Sequence, residues 1–154
     1  MIGQTVRLNG WARGIRRMGD KLVFVDLLDS SGLVQVVCYK PDLDESVRQI
    51  VDGLGSEDVL EIEGVVQARG AKQVNPDLPT GGVEVAVKSL RVLNAAATPP
   101  FEIDKDTSGV NEELRLQYRY LDLRSERMQS NLRLRAQITQ FFRSYLSEKQ
   151  FIEI

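Results

Sequence analysis

Phe24, Gln35 and Glu84 each lie in an alternating run whose other face is valine: Val23 and Val25 flank Phe24, Val34 and Val36 flank Gln35, and Val83 and Val85 flank Glu84. If the valines point inward, period-2 alternation puts an aromatic ring, an amide and a carboxylate on the opposite surface. Those groups suit recognition of an unpaired nucleobase, which needs a ring to stack on and polar groups for its edge, with cations nearby for phosphate. On residue type alone Phe24 could instead pack beneath a loop, and Gln35 and Glu84 could be ordinary polarity of an exposed strand. Trp11 is also aromatic, but beside Gly10 it reads as a core or rim packing residue.

The cations could come from Arg7 to Lys21, where Arg7, Arg13, Arg16, Arg17 and Lys21 face one acid, Asp20, a local charge of +4 in a chain whose net charge is −2. The acids concentrate from Asp42 to Asp58 and at Glu61 and Glu63, which could form the other side of the domain. Local distribution sets the field that a ligand meets, although a charge cluster is also what a solvated face looks like.

Five strands and a helix would position these groups. Alternation marks strands over 5–13, 22–29, 33–39, 59–69 and from Val83 to about Leu93, with turn residues Asp29-Ser30-Ser31-Gly32 closing a hairpin. Between the third and fourth strands, Pro41-Asp42-Leu43-Asp44 starts a helix on which Val47, Ile50, Val51 and Leu54 share a face. Gly70 to Gly82 is an irregular loop. Three strands, a helix and two strands is the order of the five-stranded oligonucleotide-binding barrel, although alternation alone fits other small barrels as well. The fold class expected is therefore mainly β with α: a five-stranded oligonucleotide-binding (OB) barrel with one inserted helix, then a linker and a C-terminal amphipathic helix.

After residue 94 the pattern changes. Ala95 to Val110 carries Pro99-Pro100 and reads as a linker of limited stiffness. Glu112 to Arg124, EELRLQYRYLDLR, interleaves Arg115, Arg119 and Arg124 with leucines and tyrosines too densely for a disordered segment. These arginines could contact a nucleic-acid backbone, or pair with Glu112, Glu113, Asp122 and Glu126. From Ser125 the spacing of Leu134, Ile138, Phe141, Phe142 and Tyr145 predicts one apolar stripe on a helix of about six turns. Phe151 to Ile154 reads as the start of a strand. The domains expected are 1–94, 95–124 and 125–154.

The 154 residues, 42% hydrophobic and 27% charged, are ordinary for a globular chain. No apolar run is long enough to span a membrane, and the N-terminus lacks a signal-peptide pattern. With one cysteine and no histidine, the chain can form no internal disulfide, no ordinary Cys/His zinc site and no His-based acid/base catalyst. Cys38, between Val37 and Tyr39, reads as a small buried hydrophobe.

Several motifs in order carry a family resemblance over essentially the whole chain: Asn9-Gly10-Trp11, Arg16 to Gly19 with Leu22 to Asp26, Gly32 to Val37, Asn75 to Gly81 with Glu84-Val85, Thr98 to Ile103, and Arg115-Leu116 with Tyr118 to Arg124. Together they resemble the N-terminal anticodon-binding domain, hinge and start of the catalytic domain of bacterial-type aspartyl-tRNA synthetases, which are class IIb enzymes. The resemblance implies that Phe24 stacks on an anticodon base and that Gln35 and Glu84 read base edges. It implies that Arg69 and Arg16 are basic positions near that loop, and that Arg115, Arg119 and Arg124 are hinge or tRNA contacts.

The implied partner is the tRNA anticodon loop. The parent enzyme would use ATP and magnesium, dimerise and be cytoplasmic. The chain itself lacks the family's catalytic motifs, so it is expected to bind no cofactor and not to aminoacylate. In a chain ending at Ile154, the stripe of Leu134, Ile138, Phe141, Phe142 and Tyr145 would be partly uncovered, which predicts self-association or fraying. The sequence departs from the family pattern around Ala12 to Arg17, with one apparent extra residue before Phe24. Rival readings are the same module from a lysine or asparagine synthetase, an aspartate enzyme that also charges asparagine tRNA, a general single-strand-binding OB domain, and an interaction module that docks a partner on the helix stripe.

Overall fold

The computed structural model describes residues 1–154 and divides them into two compact units, Met1–Thr98 and Pro99–Ile154. In the first, β1 (Thr5–Met18), β2 (Leu22–Leu28), β3 (Leu33–Tyr39), β4 (Val59–Ala68) and β5 (Val83–Asn94) close into a barrel in the order β1-β2-β3-β5-β4. Helix α1 (Glu45–Gly53) lies between β3 and β4 in the chain. This is the expected OB element order, and closure leaves no strand edge exposed.

β1 runs five residues beyond the expected end because it serves two partners. Its first half pairs with β4 from Thr5↔Val65 to Trp11↔Val59, and its second half pairs with β2 from Trp11↔Leu28 to Met18↔Leu22. The change of partner needs close backbone approach. A Cβ on Gly10 would lie 2.6 Å from the Leu28 carbonyl oxygen, and one on Gly64 would lie 2.4 Å from that of Ala86. The register shifts between Ala12 and Gly14, so Arg13 is the bulged residue.

The inward faces supply the core. Val23, Val25, Val36, Leu60 and Ile62 are fully buried, and Val47, Val51 and Leu54 from α1 and its end join the same cluster. A nine-residue helix is marginal alone. Its buried valines, each worth roughly 1.5–3 kcal/mol, hold it to the barrel. Arg17 secures its end, with Nη2 donating to the carbonyls of Asp52 (3.3 Å) and Leu54 (3.1 Å). Cys38 is buried as expected, and burial pushes its thiol pKa up to about 12.

The basic segment is not a +4 patch. Alternation and the bulge send its members in different directions: Arg7 toward Glu63 (3.6 Å), Arg13 toward Glu57 (3.6 Å), Arg16 toward Asp26 (3.0 Å) and Arg17 to α1. The acids expected on a separate side supply two of those partners.

In the second unit, Phe101, Ile103 and Thr107 are buried, so the stretch after Pro99-Pro100 packs rather than trailing as a free linker. α2 (Glu112–Gln117) starts at Asn111, whose side chain accepts from the Leu114 N–H at 3.2 Å. α3 (Arg119–Asp122) and α4 (Glu126–Glu148) follow. Phe151–Ile154 forms no strand. The end of α4 closes in a Schellman motif: Gln150 takes φ +65°, its N–H donates to Ser147 O (2.9 Å), and the Phe151 N–H turns back to Leu146 O (3.0 Å). Glu153 then pairs with Arg143 at 2.9 Å.

Candidate nucleic-acid interface

Register places the candidate residues side by side on the outside of the barrel. Phe24 on β2 lies opposite Arg16 on β1 and Val37 on β3, while Asp26 lies opposite Gly14 and Gln35. Glu84 on β5 precedes Val85, which pairs with Val36 of β3, so Gln35 and Glu84 are neighbours across that seam. Phe24 is half-buried between valines that are fully buried. It therefore keeps part of its ring in solvent.

The polar members form one chain of contacts. Arg16 Nη2 donates to Asp26 Oδ1 and to Gln35 Oε1, both at 3.0 Å. Gln35 Nε2 donates to Glu84 Oε2 at 2.9 Å. Arg69 Nε stands 3.8 Å from the same Glu84 oxygen and donates to Val83 O at 3.0 Å. Charge thus alternates along the row, with the amide of Gln35 in the middle. Arg16, Gln35, Glu84 and Arg69 are brought together, and Phe24 lies beside Arg16.

Arg69 lies outside the strand, which was expected to run over 59–69. β4 ends at Ala68, and Arg69 turns inward to 9% exposure, with its Nη2 buried and without a hydrogen-bond partner. It is positioned to support Glu84 from beneath. Asp26 was not among the candidates, although it shares parity with Phe24. Burial holds its carboxyl above the ordinary 3.8, while first Arg16 and then Arg69 pull it the other way. The loop after Arg69 is tied to the sheet by Thr80 Oγ1, which donates to Leu33 O at 2.5 Å.

The hinge arginines gather on one carboxylate in the second unit. Asp122, at 0% exposure, accepts from Thr107 Oγ1 (2.8 Å) and Arg119 Nη1 (2.5 Å), with Arg115 Nη1 at 3.8 Å. Arg115 Nε also donates to Val110 O at 3.2 Å. For these two arginines Asp122 takes the place of the partners expected at Glu112, Glu113 and Glu126. Arg124 is half-buried, its backbone N–H donating to Leu121 O at 2.9 Å.

No helix is long and apolar enough to cross a membrane. No group of three or more His, Cys, Asp or Glu side chains could hold a metal ion.

Comparison with known proteins agrees with the fold. Residues 6–93 match the OB-fold nucleic acid binding domain, and residues 111–154 match tRNA synthetases class II (D, K and N). The chain is 47% identical over its whole length to an aspartate–tRNA(Asp/Asn) ligase of Natranaerobius thermophilus, and 46% identical over 99% of its length to an aspartate–tRNA ligase of Oceanobacillus iheyensis. It spans about a quarter of these relatives, 26% and 25% respectively. Among solved structures, asparaginyl-tRNA synthetase of Pyrococcus horikoshii with asparaginyl-adenylate superposes over 99% of the chain and 33% of its own, with a TM-score of 0.80 at 29% identity. Aspartyl-tRNA synthetase of Entamoeba histolytica shares the fold over 100% of this chain and 36% of its own, with a TM-score of 0.82 at 23% identity. The chain belongs to the OB-fold nucleic acid binding domain family, and its barrel is followed by the beginning of a class II tRNA synthetase domain.

Proposed function

We propose that the barrel reads the anticodon loop of an aspartate tRNA, as the N-terminal part of an aspartate–tRNA ligase. The observation that carries this reading is the row Arg16–Gln35–Glu84, linked by hydrogen bonds of 3.0 and 2.9 Å beside the half-buried ring of Phe24. Phe24 offers a stacking platform, Gln35 and Glu84 offer donors and acceptors to base edges, and Arg16 is the displayed cation. Arg69 acts from beneath by holding Glu84. In the second unit, Arg115 and Arg119 hold the hinge through Asp122, which favours the structural role for these two over a tRNA contact; Arg124 is assigned to the same hinge.

The parent enzyme would use ATP and magnesium to activate aspartate and transfer it to the tRNA. A homodimeric parent is part of the same reading, with α4 at the subunit contact.

The test is the affinity of this chain for an anticodon stem-loop reading GUC, against one with the middle U replaced, at two salt concentrations and with Phe24→Ala in parallel. Preference for the U loop, mostly lost in Phe24→Ala, is the expected result, since a stacked base contributes about 1–3 kcal/mol. Equal binding of both loops, abolished by salt, would assign the barrel to general single-strand binding instead.

A second reading is favoured by the relatives whose names give both tRNA(Asp) and tRNA(Asn). A stem-loop reading GUU, which differs from GUC only in the last base, distinguishes them. Equal binding of GUC and GUU supports dual recognition.

A further inference from the structure

Gln35 has both ends of its amide engaged by groups of opposite charge. Oε1 accepts from Arg16 Nη2 at 3.0 Å, and Nε2 donates to Glu84 Oε2 at 2.9 Å. Turning the amide over would set NH2 against a guanidinium and oxygen against a carboxylate, replacing two charge-assisted hydrogen bonds with two repulsions. The order of donor and acceptor along the face is therefore fixed, with the acceptor toward β1 and the donor toward β5.

Of the two contacts that set this order, the one from Arg16 is the more exposed. The Arg16 side chain is 57% exposed, and an arginine so placed samples many rotamers unless a second contact holds it. Asp26 provides that contact at 3.0 Å, from the position directly opposite Gln35 in the β2–β3 pair. The carboxylate fits because its β1 partner is Gly14, where a Cβ would stand 3.1 Å from Asp26 Oδ2. Asp26 is thus held close to Arg16.

We infer that Asp26 is a positioning residue that, through Arg16, locks the Gln35 amide so that it accepts uracil and rejects cytosine. This rests on the anticodon reading proposed above. After its two contacts Gln35 retains one N–H and one lone pair on Oε1, in fixed order. Uracil presents a ring N–H beside a carbonyl and satisfies both. Cytosine presents a bare ring nitrogen at the same place, which sets two acceptors against each other and leaves buried polar atoms unpaired. A freely turning amide would accommodate either base; a locked one does not.

The experiment measures the affinity of the full chain for two anticodon stem-loops that differ only in the middle base, U or C. The wild type, Asp26→Ala, Arg16→Met and the double variant are compared, with thermal midpoints confirming that each is folded. The expected result is that Asp26→Ala lowers the U-to-C affinity ratio about fivefold or more, within the discrimination of a bidentate contact. Arg16→Met lowers it as much, and the double variant lowers it no further, because both act on one link. An unchanged ratio in Asp26→Ala, equal loss of affinity for both loops, or additive losses in the double variant would overturn the inference while leaving the anticodon reading in place. No U preference in the wild type would remove both.

Discussion

Gln35 Nε2 donates to Glu84 Oε2 at 2.9 Å across the β3–β5 seam, where the strands run parallel and only Val36↔Val85 and Val37↔Ala86 are in register. The hydrogen bond therefore does structural service at the barrel's thinnest ladder, and Glu84 also faces the buried Arg69. Glu84→Ala should cost more than Gln35→Ala, because it leaves a buried guanidinium without its carboxylate. We expect about 3 kcal/mol for Glu84→Ala against about 1 kcal/mol for Gln35→Ala. Urea unfolding followed by the single tryptophan, Trp11, which lies in the barrel, compares them directly. Equal losses would mean that Arg69 does not depend on Glu84.

Two aspartates that follow Phe24 on β2 and its turn should respond to pH with opposite signs. Burial raises the Asp26 pKa above 3.8, so the folded state holds its proton more tightly than the unfolded chain. Its contribution is fully present below 3.8 and is lost as pH rises through the folded value. Asp26→Asn should therefore be more stable than the wild type at neutral pH, with the gain fading below 3.8.

Asp29 is the reverse case. Its side chain accepts from Ser31 Oγ (2.6 Å), Ser31 N (2.7 Å) and Gly32 N (3.1 Å), and these bonds hold its pKa below 3.8. Its contribution is present above that value and is lost as pH falls through the folded one. Asp29→Ala should weaken the β2–β3 turn at neutral pH and cost less in strong acid, where only neutral hydrogen bonds remain to be lost. Thermal midpoints across a pH series read both variants, and matching pH profiles would contradict the assignment.

The outward row was legible in the sequence because strand parity is a local property: valines on either side of Phe24, Gln35 and Glu84 fix which way each points. Asp26 had the same parity and could have been found by extending that argument by two residues. Arg69 was not legible, since its direction depends on β4 ending at Ala68, one residue earlier than alternation suggests. The same holds for charge. Linear sequence gathers Arg7, Arg13, Arg16 and Arg17, but their partners come from β4, the turn before it, β2 and the end of α1. Phe151 to Ile154 had a strand's composition, and only the left-handed turn at Gln150 shows that it folds back on α4.

Asp122 should control the hinge. It is wholly buried, and its carboxylate is met by Thr107, Arg119 and Arg115, while its backbone oxygen accepts from Ser125 Oγ at 2.7 Å. Replacing it with alanine leaves the hydroxyl and two guanidinium groups without their acceptor. Because Arg119 is 44% exposed, solvent offsets part of the loss, and we expect about 2–3 kcal/mol. Amide hydrogen exchange should accelerate across 107–125 and remain unchanged in the barrel core. Acceleration throughout the chain would mean that the two units unfold together.

The apolar side of α4 has the largest consequence for behaviour in solution. Phe141 and Phe142 are 64% and 57% exposed, and Leu134, Ile138 and Tyr145 are comparably open. Phe141 stacks on Tyr145 with ring centroids 6.3 Å apart and meets Phe142 edge-on at 5.8 Å, so the rings form one continuous surface along the helix. A contiguous patch of this kind drives association in water. Sedimentation should show mass rising with concentration, and Phe141→Glu with Phe142→Glu should return the chain to a monomer without disturbing the barrel. A wild-type mass independent of concentration, together with full protection of the α4 amides, would count against association through this face.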